Sequence, residues 1–428
     1  MPVPTLAELT RVFARIGCLS FGGPAGQIAL MQRELVDERR WVEQDAFLRA
    51  LNLCHLLPGP EAQQLATWIG WRLHGVRGGL IAGLLFVLPG AAVMLGLSLL
   101  YVAAAGLHWF AALFLGIKAA VLAVVLQALI RVARRALGTR FKLALAVLAA
   151  LALTLLHAPF PLVILMAGLI GAAAAKWAPQ WLGTHHAAAG DGPLQAPRRL
   201  VVLTFRTVAV WLAIWGLPLA LVFVTLGPDH VLWQVGLFFS RLAVVTFGGA
   251  YAVLAYMAQA AVSGFGWLSP GEMADGLGLA ETTPGPLIMV TQFVGFIAAW
   301  RHPGGLSPLV AGLLGAGLTT WVTFAPCFLW IFACAPWMER LERAERLQGA
   351  LAAITAAVVG VIANLALWFA LHVLFGRVSA AGMPDLASLD WRAAVIAAGA
   401  AAMLFPLKRG IMPTLAIAAA AGFALSAL

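Results

Sequence analysis

Ser20-Phe21-Gly22-Gly23-Pro24 returns 226 positions later as Thr246-Phe247-Gly248-Gly249-Ala250, and that echo decides how the chain is read. The same offset relates Arg15 to Arg241, Trp41 to Trp267, and Pro58-Gly59-Pro60 to Pro284-Gly285-Pro286. After an insertion of about 11 residues the match resumes at 237: Pro89 with Pro326, Lys118 with Thr355, Gln127 with Asn364. One offset shared by several separate features marks an internal duplication. The chain reads as two copies, 1–177 and 231–428. A polar linker carrying His185-His186, followed by one apolar segment at about 205–226, fills 178–230 between them.

The composition says where such a chain lives. Of its 428 residues, 62% are hydrophobic and 10% charged, whereas a soluble domain carries roughly 25% charged residues. A protein of this size has no interior large enough to hide that surface, so lipid must solvate it. This excludes a soluble enzyme, a disulfide scaffold and a disordered chain. The net charge of +10 is no nucleic-acid footprint, because the basic residues flank apolar runs, where topology determinants lie. Cys18, Cys54, Cys327 and Cys334 have no zinc-site spacing and read as structural thiols.

Each copy holds six elements. The first (about 6–31 and 232–258) is interrupted by F-G-G, and the second (about 46–72 and 274–298) by P-G-P. Four apolar helices follow, predicted near 79–104, 109–131, 141–157 and 159–177, and near 306–335, 349–375, 391–405 and 411–427. An even number of crossings per copy plus one extra span inverts the second copy, a common transporter plan. If the broken elements are re-entrant, only Arg301, Arg377 and Arg392 fall among the loops of the basic-poor side. The expected fold is therefore an all-α polytopic membrane protein: two inverted-topology repeats with broken, re-entrant helices, joined by the linker and one transmembrane helix. Nine full spans are predicted, with the N-terminus inside and the C-terminus outside.

The breaks are where chemistry is expected. Proline has no N–H and glycine tolerates unusual dihedrals, so P-G-P interrupts a helix. Interrupted backbone at membrane depth must be buried in protein or line a wet cavity. Half-helices starting there aim N–H groups and positive dipole ends inward, which suits an anion. The predicted anion ligands are Phe21, Gly22, Gly23, Pro24, Pro58, Gly59, Pro60, Gly248, Gly249, Pro284, Gly285 and Pro286. The polar side chains Ser20, Gln27, Asn52, Glu61, Gln63, Gln64, Thr246, Thr282 and Thr283 join them. Arg15, Arg241 and Lys118 are costly in lipid and read as cations for a dianion. Glu61 and Glu281 are read as the acids of the broken segments. With His55, which matches Glu281, they serve either as helix caps or as proton carriers for coupling.

At these residues the chain resembles the chromate ion transporter family in its long, two-domain form. The resemblance rests on S-F-G-G-P-A-G-Q-I at 20–28, L-P-G-P-E-A-Q-Q-L-A at 57–66, T-F-G-G-A-Y at 246–251 and E-T-T-P-G-P at 281–286. It implies a bacterial inner-membrane protein that expels chromate, confers chromate resistance and meets sulfate as a competing analogue. The second copy has Ala250 where the first has Pro24 and lacks the E-A-Q-Q run, so the first is expected to hold the ion. Export of a dianion from a negative interior is favoured by roughly 4.6 kcal/mol per 100 mV. An exchanger or importer of sulfate or another oxyanion is the alternative within transport. A membrane-embedded metalloenzyme using His55, Glu61 and His74 is disfavoured, since their spacing puts no clean pair on one helical face. No cofactor, metal or nucleic acid is expected, no ATP-binding loop is present, and the apolar surfaces permit a homodimer.

Overall fold

The computed structural model describes residues 4–426, apart from 22, 105, 184–197, 248–249 and 380–382. The linker histidines, His185 and His186, lie outside the described residues.

The first copy begins with α1 (Leu6–Leu19), opened by a capping box in which Thr5 and Glu8 satisfy each other's backbone N–H groups. It stops at Ser20 and Phe21, and α2 (Gly23–Gln32) follows, widening into a π turn at Arg33–Glu38. Next come α3 (Gln44–Leu56) and α4 (Glu61–Ala104), separated by Leu57 and the P-G-P. Helix α4 is two arms, 61–73 and 76–104, turned at His74 and Gly75, whose φ of +59° needs glycine. The arms pack antiparallel. A Cβ on Gly70 would lie 2.2 Å from Gly78 O, and one on Gly78 2.2 Å from Gly70 O. Three helices complete the copy: α5 (His108–Ala136), α6 (Arg140–Thr154) and α7 (Phe160–Trp177). The connecting α8 (Arg198–Leu226) lies outermost, with none of its apolar stretch Leu200–Leu226 buried.

The second copy repeats this order as α9 (Val231–Val245), α10 (Ala250–Gln259) with a π turn at Ala260–Gly264, α11 (Pro270–Thr282), α12 (Val290–Arg301) and α13 (Pro308–Cys334). A short α14 (Met338–Glu342) leads to α15 (Glu345–Leu374), α16 (Trp391–Leu404) and α17 (Ile411–Ser426). Matching positions make matching bonds. Leu35 O accepts from Trp41 N and Val42 N, as Ala261 O does from Trp267 N and Leu268 N. The α12–α13 pair is the second copy's version of the two arms of α4, with Gly315 packed 2.3 Å (Cβ position) from Gly295 O.

Contacts across three of the breaks show that the chain folds back there. Arg15, five residues before Ser20, lies 3.7 Å from Glu34, well beyond it. In a continuing helix these groups would stand more than about 20 Å apart. Phe238 packs edge-on to Trp267 and against Tyr256 across the second F-G-G. Arg301 pairs with Glu272, and Gly276 seats Phe293, across the second P-G-P.

Among the described residues, six helices are long and apolar enough to cross a membrane: α4, α5, α7, α8, α13 and α15. The chain is an all-α, multi-pass membrane protein. The predicted spans at 141–157, 391–405 and 411–427 are shorter, at 15, 14 and 16 residues, below the roughly 20 that a hydrocarbon core requires. Pro159, Pro406 and Gly410 bound them.

The copies exchange their last helices. In α7, Gly171 would put a Cβ 2.3 Å from Gly349 O of α15; in α17, Gly422 would put one 2.6 Å from Ala112 O of α5. Gly116 of α5 and Gly360 of α15 approach Ala418 O and Ala146 O as closely, at 2.0 and 2.1 Å. Glycine at these crossings lets backbones touch, which is how helices associate where lipid removes the hydrophobic drive.

Candidate anion site at the crossed breaks

Each P-G-P is bonded to the other copy's F-G-G break. Gly59 N–H donates to Thr246 O, and Gly285 N–H donates to Ser20 O, both at 2.8 Å. The two bonds are exact counterparts under the 226 offset. Gly59 and Gly285 hold φ of +119° and +91°, a conformation glycine alone adopts freely. Ser20 and Thr246 each turn their hydroxyl back to the carbonyl four residues earlier, Ile16 O and Leu242 O, both at 2.6 Å. Their main-chain carbonyls are thereby left to receive the glycine N–H. The third strut also matches: Gly90, on the second arm of α4, lies under Pro284-Gly285, and its counterpart Cys327 on α13 lies under Gly59.

This geometry corrects one expectation. The N–H groups of Gly59 and Gly285 are not free for an anion, because the crossed bonds use them. What remains are the first amides of the half-helices. In α4, Gln64 N–H is bonded to Pro60 O at 3.1 Å, and the amides of Glu61, Ala62 and Gln63 precede it at the positive end. The crossed bonds set each P-G-P, after which α4 and α12 start, against the other copy's F-G-G, after which α2 and α10 start.

The polar side chains divide. Buried Gln27 donates through Nε2 to Gly285 O at 2.5 Å and reaches Ser20 O at 3.4 Å, tying the F-G-G of one copy to the P-G-P of the other. Gln64 donates to Pro58 O at 2.7 Å and Gln63 to Thr67 Oγ1 at 3.2 Å, which leaves the buried amide oxygens of both without a donor. Thr282 and Thr283 turn their hydroxyls to Leu279 O. Pro58, Pro284 and Pro286 are buried, Phe21, Gly23, Pro24 and Pro60 are partly so, and Asn52 is exposed on α3. Gly22, Gly248 and Gly249 lie outside the described residues. His55 Nδ1 meets Glu61 Oε1 at 2.9 Å across the first P-G-P, and Glu281 is buried in α11.

Two of the predicted cations pair with acids and the third is exposed. Arg15 and Arg39 both face the buried Glu34. Arg241 is exposed on α9, within electrostatic reach of Tyr256. Lys118 is paired with Asp275. Sequence reasoning missed Glu34 and Asp275. Asp275 lies inside the second broken element and should have stood beside Glu61 and Glu281; its position six residues into α11, in an apolar run, was the available signal. Among the described residues no group of three or more metal-ligating side chains forms, so His55, Glu61 and His74 do not converge.

The sequence profile described as Chromate transporter matches residues 7–172 and 233–425. The chain belongs to the chromate transporter family. The family's matched segments hold both F-G-G breaks and both P-G-P breaks. A chromate transport protein of Pseudomonas aeruginosa is 33% identical over 84% of this chain and 80% of its own length. A probable chromate transport protein of Synechococcus elongatus is 28% identical over 90% and 88%, and a chromate transport protein of Cupriavidus metallidurans is 28% identical over 84% and 82%. No solved structure matches the chain. Family membership makes the protein a transporter.

Proposed function

We propose that this protein exports chromate across a bacterial inner membrane by alternating access, and so confers chromate resistance. The observation that carries the proposal is the crossed pairing of the breaks. It brings the four breaks, after which half-helices start, together in two pairs, which supports a site for a small oxyanion. Relatives over most of the chain's length bear the name chromate transport protein, which supports chromate as the ion.

The anion sits between the half-helix starts, with Gln27 holding the two breaks in register. Arg241 supplies its positive charge from α9, six residues before Phe247 of the second F-G-G. His55 and Glu61 close the first P-G-P. Arg15 serves the α1–α2 hairpin instead, because Glu34 holds its charge. With α6, α16 and α17 crossing despite their 15, 14 and 16 residues, a mismatch met by local thinning of the bilayer, the two copies lie inverted in the membrane, the first pair of hairpins entering from the cytoplasmic side and the second from the periplasmic side. The N-terminus is then cytoplasmic and the C-terminus periplasmic. Because the copies exchange helices, rocking one whole copy against the other does not suit this architecture. The moving parts are the paired hairpins α1–α2 with α11–α12, and α9–α10 with α3 and the first arm of α4.

The test is chromate tracer uptake into inside-out vesicles at a clamped potential, with and without excess sulfate. Uptake driven by a positive lumen and reduced by sulfate is the expected outcome. Absence of uptake under any gradient would remove chromate as the substrate.

A further inference from the structure

One buried network stands outside the crossed breaks. Lys118 of α5 reaches Asp275 of α11, Nζ to Oδ1, at 3.2 Å, and the Tyr101 hydroxyl of α4 donates to Asp275 Oδ2 at 2.7 Å. Tyr101 and Asp275 are each 7% exposed. Stability does not explain such a pair, since well-packed apolar residues commonly serve as well or better. Within a membrane, ionisable side chains mark ion pathways and proton relays. The shared scaffold does not explain it either. The matching positions of the other copy hold Arg49, Thr355 and Met338, which cannot build it.

The network is mechanically connected to the breaks. Asp275 sits on the arm of the hairpin whose tip carries Gly285, bonded to Ser20 O. Thr282, two turns further along the same face of α11, lies at that tip. Gly278 packs so tightly on α5 that a Cβ there would lie 2.5 Å from the Ile117 side chain. The other charged groups facing the network are Glu272, one turn nearer the open end of the hairpin, and its partner Arg301 of α12. Helix α17 carries no titratable side chain, and those of α15 (Glu345, Arg346 and His372) sit near its ends.

We infer that Tyr101, Asp275 and Lys118 form the proton-exchange site of transport, where Asp275 takes a proton from the outer side as the oxyanion leaves and yields it to the inner side. The inference rests on the export reading. The step adds one proton to a carboxylate oxygen and changes no heavy-atom bond. It removes the counter-charge of Lys118, loosens α11 from α5, and frees the hairpin to move. Loss of the proton restores the pair.

The experiment uses the purified full-length protein in proteoliposomes and reads two fluxes of labelled chromate: counterflow at equal pH, and accumulation driven by an acid lumen. For one proton exchanged, the wild-type accumulation ratio rises about tenfold per pH unit. Asp275→Asn, and Asp275→Asn combined with Lys118→Met, lose that dependence while counterflow stays within about threefold of wild type. The double variant leaves no unpaired ammonium, so it guards against misfolding. Wild-type pH dependence in either variant, or loss of counterflow together with driven accumulation, overturns the assignment. Wild-type counterflow with no response to pH overturns it while leaving export intact. No counterflow by the wild type removes the export reading, and this site with it.

Discussion

Gly59 and Gly285 show how far two equivalent residues diverge once their surroundings differ. Both hold positive φ and both donate across the breaks. A methyl at Gly59 would meet Cys327 Sγ at 2.9 Å and Gln64 Nε2 at 3.0 Å, whereas at Gly285 the nearest atom stands 3.5 Å away. Gly285→Ala therefore suffers backbone strain alone, about 1 kcal/mol or more. Gly59→Ala adds overpacking, about 1–3 kcal/mol. The expected order of thermal midpoints in detergent is wild type, Gly285→Ala, Gly59→Ala; equal midpoints for the two variants would contradict the packing drawn here. The motif letters made both glycines visible in the sequence. Their partners were not, because an offset reports likeness between positions and says nothing of which positions touch.

Among elements, the helix stops were legible and their fastenings were not. The halts at F-G-G and P-G-P follow from the chemistry of proline and glycine, and the helices stop at Leu19, Leu56, Val245 and Thr282. Arg15, by contrast, is read as an anion ligand because it repeats as Arg241 and is costly in lipid. Its partner Glu34 lies in a π turn past the predicted end of the element. Glu34 also accepts from Arg39 at 2.5 Å, so the buried carboxylate keeps a cationic partner when the longer contact is lost. Arg15→Gln is accordingly expected to change chromate flux by less than about threefold, and Arg241→Gln to lower it about tenfold or more. Matched flux assays at equal membrane abundance decide this; the reverse ranking would put Arg15 back at the ion. The short helices α6, α16 and α17 were read as full spans because the apolar runs continue through the turns that end them, and hydropathy does not register where a helix stops.

For the whole molecule, duplication was readable and interlocking was not. Helices α6 and α7 of the first copy pack on α15 of the second, and α16 and α17 of the second pack on α5 of the first. Two chains cut in the linker, 1–190 and 191–428, are therefore expected to restore chromate flux when made together, and each alone to be degraded. Protease resistance of either half alone would show that the exchange is not needed for folding.

The exchanged helices also set a timetable for synthesis. Helix α7 is complete at residue 177, but the helix it rests on ends at 374. At 5–20 residues per second the interval is roughly 10–40 s. For that time the first half stands in the bilayer with glycine-lined faces uncovered. Whatever inserts this protein must shelter a half-built molecule until its own later sequence arrives.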